Sequence, residues 1–111
     1  MEIVEQVKGA VTVLKPRGPL CEDDAENFKR KATEASAAAM GRVVIDASAI
    51  PYVDSRGLEA LVDLSEALGE SGQTLRLCAA NETLREVLDL TDLSAMFEHY
   101  EDVNAAVRSF L

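Results

Sequence analysis

Apolar and polar positions change period several times along the chain, and each change predicts an element. Ile3 to Val7 and Val11 to Lys15 are short β-rich runs on either side of Lys8-Gly9, the pattern of a hairpin. Pro16, Gly18 and Pro19 then predict the end of the second strand. From about Asp23 the period is helical, with Ala25, Phe28, Ala32, Ala35 and Ala39 on one face at spacings of three and four. Acidic residues crowd the start of this helix and Lys29, Arg30 and Lys31 follow, an order that suits its dipole. Gly41 predicts its end. Val43-Val44-Ile45 is a continuous apolar run, as in a strand buried on both faces. A second helix is predicted from about Ser55 to Leu68, turning Leu58, Leu61, Val62 and Leu68 inward and closed by Gly69 and Gly72.

The remaining third of the chain repeats the alternation. Leu75, Leu77 and Cys78 around Arg76 predict a strand, and Asn81 can cap a helix carrying Leu84, Val87 and Leu88. Phe97 to Tyr100 fits a short last strand, and Val103, Ala106, Val107 and Phe110 mark a final helix. The order ββαβαβα(β)α implies an α/β fold with parallel connections and a sheet of four to five strands covered by helices. No linker, repeat or low-complexity tract interrupts it, so residues 1–111 are expected to form one domain.

Charge narrows the classes of partner. Eleven basic against twenty acidic residues give a net charge of -9, which repels phosphate backbones and excludes a nucleic-acid surface. The same balance disfavours a polybasic membrane anchor and suits a basic protein partner. The N-terminal "MEIVEQVKGAV" has neither a basic n-region nor a long apolar segment, so no signal peptide, no membrane insertion and a cytoplasmic location are expected. Cys21 and Cys78 lie far apart and outside any CxxC or Cys/His cluster, which predicts two reduced thiols and no metal.

Most enzyme chemistry finds no residues to carry it. The one histidine, His99, sits beside Tyr100 near a strand end, and GxSxG is absent, so a serine hydrolase lacks its parts. Neither GxxxxGK[ST] nor GxGxxG occurs, so no nucleotide cofactor is expected. Asp46 and Asp54 flank one loop and could be read as paired carboxylates, but with no metal-ligand set they fit loop and cap roles better. A receiver domain would need an acidic pair after the first strand and a late lysine; no lysine follows Lys31. What remains is Asp54-Ser55-Arg56-Gly57 at the mouth of the second helix. Asp54 or Ser55 can be its N-cap, with Gly57 small for close packing. A helix N-terminus also tolerates an anion, so a phosphate on Ser55 would add charge to a docking surface without disrupting its own helix.

The arrangement Asp46-x-Ser48, five residues, Asp54-Ser55-x-Gly57-Leu58 resembles the signature of the STAS domain, found in anti-sigma factor antagonists, stressosome subunits, and domains of sulfate transporters and lipid-transport complexes. Gly18-x-Leu20 resembles that family's Gly-x-Leu-Asp element, Leu75-Arg76-Leu77-Cys78 its fourth strand, and Leu84 to Leu93 the helix and turn that follow. The resemblance implies an open mixed sheet with helices mainly on one face, and the lack of a histidine base near Ser55, a metal cluster and a phosphate loop predicts no catalytic activity of its own. In the antagonist branch it implies that Ser55 is phosphorylated by an anti-sigma factor that is itself a serine kinase, and that a phosphatase resets it. It also implies that Cys21, Asp54, Arg56, Gly57 and Leu58 contribute to the partner-binding surface. Two positions depart from the pattern: Cys21 replaces the aspartate of Gly-x-Leu-Asp, and Arg56 stands where a second small residue is common. The alternative within the family is a non-phosphorylated accessory subunit or scaffold, in which Ser55 only caps its helix.

Overall fold

The computed structural model describes residues 1–111. Strands β1 (Glu2–Lys8) and β2 (Val11–Arg17) are followed by helix α1 (Glu22–Ala38), β3 (Val43–Asp46), α2 (Ser55–Gly69), β4 (Leu75–Cys78), α3 (Glu82–Leu90), a 3-10 turn (Ser94–Met96), β5 (Phe97–Tyr100) and α4 (Val103–Arg108). The strands form one sheet in the order β1-β2-β3-β4-β5. β1 and β2 are antiparallel, and every later pairing is parallel. The short predicted strand at Phe97 is thus the fifth, paired to β4 with Leu75 opposite Phe97.

Local chemistry accounts for the joints. The hairpin turns through Gly9-Ala10, with Gly9 at φ +63, the backbone region that glycine enters without a Cβ clash. Pro16 does not end β2, contrary to the sequence expectation; it lies inside the strand opposite Ile3. The ladder from β2 to β3 covers only Thr12, Val13 and Leu14, so Pro16 sits where β2 has a neighbour on one side only. That position tolerates a missing N–H. The Asn81 carboxamide caps α3 by accepting from the Leu84 N–H at 2.8 Å, and Asp102 caps α4 by accepting from Ala105 at 2.8 Å.

Alternation along β3 divides the interior. Val43 and Ile45 join a large core with Leu14, Leu75, Leu77 and Phe97, covered by Phe28 of α1, Leu61, Leu64 and Leu68 of α2, and Leu84 and Leu88 of α3. Val44 turns the other way, into a small cluster with Val11, Val13, Cys78 and Ala106 of α4. Three helices therefore cover one face and the short α4 the other. Within α2 the expected inward set changes: Leu61 and Leu68 are buried, Leu58 is half-buried against the core, and Leu64 takes the place given to Val62. Val62 follows directly after Leu61 and so points about 100° away from it around the helix, whereas Leu64 completes the Leu61–Leu64–Leu68 stripe. On the thin face, the Arg76 guanidinium lies 3.6 Å from the centre of the Phe110 ring and Nε donates to the Ser109 hydroxyl at 2.6 Å, which fastens the end of α4 to β4.

Candidate functional site

Two loops meet where β2 and β3 end. Leu20, two residues past Gly18, forms an isolated parallel bridge with Val53. Three backbone hydrogen bonds sew the loops together: Gly18 N–H to the Ala49 carbonyl at 3.1 Å, Leu20 N–H to Tyr52 at 3.1 Å, and Asp54 N–H to Leu20 at 3.3 Å. Asn81 holds the same loop from the far side, its Nδ2 donating to the carbonyls of Ile50 and Pro51 at 3.2 Å each. The segment that carries Ser55 is therefore fixed by backbone contacts and by one side chain that also caps α3.

Asp54, not Ser55, is the N-cap of α2. Its Oδ1 accepts from the Gly57 N–H at 2.8 Å, and its Oδ2 accepts from the Glu22 N–H, the first of α1, at 3.0 Å. The Gly57 N–H is the main reason its carboxyl titrates below the usual 3.8; partial burial opposes, and the N–H groups of Glu22 and Arg56 with the Arg56 charge assist. Ser55 is the first residue of α2 and is exposed, and its hydroxyl takes no part in the cap. Asp46 has a different job: it is buried and turns the start of the loop by accepting from the Ser48 N–H at 3.0 Å.

The other expected partner-binding residues gather around Ser55 in different ways. Arg56 is exposed, with its guanidinium 3.6 Å from Asp23 of α1. Gly57 is buried, and a Cβ there would stand 2.0 Å from the Leu20 carbonyl oxygen. That contact is what its lack of a side chain permits: the first turn of α2 rests directly on backbone. Leu58 is half-buried and packs on the core. Cys21 is the N-cap residue of α1, half-buried, and its side chain makes no cap hydrogen bond. Desolvation, then the charges of Asp54, Glu22 and Asp24, push its thiol above the usual 9.0, so it carries little thiolate at neutral pH.

Between the first halves of α1 and α2 runs a groove of about 250 Å³, with acidic walls from Glu22, Asp23, Glu26, Glu59 and Asp63. Lys29 bridges it to Asp63 at 3.0 Å. Two residues of the site were not singled out from sequence. Glu22 enters through its backbone N–H, for which the sequence holds no signal. Asn81 was legible as a cap, but its spare amide donors have partners thirty residues upstream.

The STAS domain family model matches residues 2–106. The chain belongs to the STAS domain family. No curated protein matches it in sequence. Among solved structures it is similar to a candidate anti-sigma factor antagonist of Thermotoga maritima, with a TM-score of 0.88 at 22% identity over 96% of this chain and 92% of that one. It is similar to the phosphorylated form of the Bacillus cell fate determinant SpoIIAA, with a TM-score of 0.73 at 16% identity over 99% and 100% of the two chains. It also resembles a part of the murine anion transporter solute carrier 26 family member A9, with a TM-score of 0.71 at 18% identity over 95% of this chain but 18% of the transporter. These likenesses establish the STAS fold. No helix of the protein is long and apolar enough to cross a membrane.

Proposed function

We propose that this STAS domain is a protein-docking module of the anti-sigma factor antagonist kind, without catalytic activity, whose affinity for a partner kinase is set by phosphorylation of Ser55. One observation carries the reading: Asp54 does the capping, so the exposed Ser55 hydroxyl is free to be modified while both of Asp54's hydrogen bonds stay in place. A phosphoryl group transferred from ATP to Oγ would stand at a helix N-terminus beside Arg56, where an anion is favoured. The fold survives, and the docked partner meets roughly -1.5 to -2 of new charge. That one of its fold relatives exists in a phosphorylated form supports a phosphorylation switch in this fold.

The test is an affinity purification with wild-type, Ser55→Ala and Ser55→Asp proteins side by side, followed by titration of the recovered partner. Ser55→Ala is expected to bind and to resist modification. Stoichiometrically phosphorylated wild-type protein is expected to bind at least several-fold more weakly, with an unchanged melting temperature. Equal affinities would refute the switch. The likeness to a domain of an anion transporter favours the second reading, a STAS accessory subunit or scaffold. That reading expects no phosphate on Ser55 in cells under any growth condition.

A further inference from the structure

The exposed edge of the sheet has chemistry that the Ser55 site does not use. β1 is an edge strand of seven residues, with nothing paired to its outer side. Its register with β2 runs unbroken from Glu2 opposite Arg17 to Lys8 opposite Val11, so it has no bulge, and it has no proline. Bulges and prolines are two of the usual devices that keep an edge from pairing; the third, charge, is present only at Glu2, Glu5 and Lys8. It also leaves two large apolar side chains in solvent, Val4 at 41% and Val7 at 65% exposure.

The hairpin tells which backbone groups point outward. Lys8 and Val11 flank a two-residue turn, so they form a hydrogen-bonded pair, and the alternation of an antiparallel ladder then turns Lys8, Gln6, Val4 and Glu2 toward β2. The N–H and C=O groups of Ile3, Glu5 and Val7 are left facing outward. A second copy of the strand, related by a two-fold axis through Glu5, satisfies all of them. It places Glu5 opposite Glu5 of the copy and Ile3 opposite Val7 on both sides, giving about six new backbone hydrogen bonds.

The side chains in this register match. On the face covered by α1, the exposed Val7 meets the half-buried Ile3 of the copy directly, an apolar cross-strand pair made twice. On the opposite face Glu2 meets Lys8 of the copy, opposite charges made twice, and the two Val4 side chains become diagonal neighbours across the axis. The one like-charged meeting, Glu5 with itself, is tempered because Lys31 lies 3.4 Å from each Glu5 carboxylate. Shifting the strands by two residues in either direction loses part of the overlap and separates Glu2 from Lys8.

We infer that β1 is a homodimerisation edge, at which two copies of this chain join their sheets antiparallel about Glu5 into one continuous ten-stranded sheet. The interface is small, so the dimer is a weak, reversible one. It leaves the Ser55 end of the sheet open, so it does not depend on the phosphorylation reading.

Sedimentation of the full chain from 10 μM to 1 mM at near-physiological salt tests it. The expected result is a concentration-dependent monomer–dimer equilibrium, weakened at least tenfold by Val7→Lys. Glu5→Pro removes an outward donor and is expected to abolish the dimer while the monomer's melting temperature holds. Gln6→Pro, whose N–H faces β2, is expected to damage the hairpin itself. A mixture of wild-type and Glu5→Lys chains is expected to form the mixed pair in preference to either homodimer. That charge preference keeps the inference testable even where a proline variant fails to fold. A monomer up to 1 mM overturns it, as it would if another protein's strand is the occupant. A dimer indifferent to Val7→Lys, Glu5→Pro and the charge mixture also overturns it.

Discussion

Two helices begin within reach of one carboxylate, and they begin differently. α2 has an ordinary start: Asp54 is in extended backbone, its Oδ1 caps Gly57, and the chain enters the helix without strain. α1 starts from Cys21, which gives no side-chain cap, and its first residue, Glu22, sits at φ +51, a left-handed conformation that costs a residue with a Cβ roughly 1 kcal/mol. What holds Glu22 there is the second oxygen of Asp54. The side-chain cap that Cys21 does not give α1 is thus supplied across space by the cap of α2. Because Cys21 offers no side-chain cap, both helix starts beside Ser55 share the Asp54 carboxylate.

Gly57 is where both helix starts are most sensitive to substitution. Gly57→Ala would press a methyl into the Leu20 carbonyl, 2.0 Å away, and that carbonyl also receives the Asp54 N–H. Both helix starts should shift, at a cost of about 3 kcal/mol, read as a lower urea midpoint. Gly69→Ala at the other end of the same helix has no neighbour within 4 Å and is expected to stabilise by about 0.5 kcal/mol. An equal response at the two glycines would contradict the close approach.

Next in size is Asp54→Asn. Asparagine is as good an N-cap as aspartate in isolation. It has one acceptor oxygen, however, so it can serve Gly57 or Glu22 but not both, and its amide would face the other N–H donor to donor. The expected outcome is a clear loss of thermal stability with amide exchange quickened at both Glu22 and Gly57. If exchange rises at Gly57 alone, α1 does not lean on this residue.

Cys21→Ser acts in the opposite direction. A hydroxyl can give α1 its own cap without adding charge beside Asp54, and the melting temperature is expected to rise by about 4 °C. Cys21→Asp should gain less, because Asp54, Glu22 and Asp24 already surround the site. In the double variant Cys21→Ser with Asp54→Asn, the loss should be smaller than the two single effects added together.

How much of this was legible follows the range of the forces involved. The elements came through because periodicity is local: the Ala25–Phe28–Ala32–Ala35 stripe and the Val43–Ile45 run dictate burial wherever they are placed. Pro16 misled because its meaning depends on whether a third strand lies alongside, and that is decided by chain thirty residues away. Val62 shares the helical spacing of Leu58, but the stripe that the sheet buries is Leu61–Leu64–Leu68, and which of two neighbouring stripes faces the sheet is set by packing rather than by period. At the site, the motif singled out Ser55 and Asp54, and spacing alone left open which of them capped. The link from Asp54 to Glu22 was invisible, because a backbone N–H has no letter in the sequence.

The smallest expected effect separates the helix starts from the middle of the same pair. Asp54 titrates below its unfolded value, so its contribution is complete above pH 3.8 and is lost as pH falls through the folded value. Lys29 titrates above 10.5 because of its hydrogen bond to Asp63, so its contribution is complete below 10.5 and is lost as pH rises through the folded value. The two limbs of the pH–stability curve should therefore report two different places along α1 and α2. Urea midpoints of wild-type and Asp54→Asn proteins should differ by a constant amount from pH 5 to 8 and converge below pH 3.8, where the protonated carboxyl resembles the amide. Lys29→Met should flatten the alkaline limb. Both of its side chains are about one-third exposed, so this second change should be the slighter and should shrink in high salt. An acid limb that survives Asp54→Asn unchanged would mean that other carboxylates carry it and that the shared cap is not a source of stability.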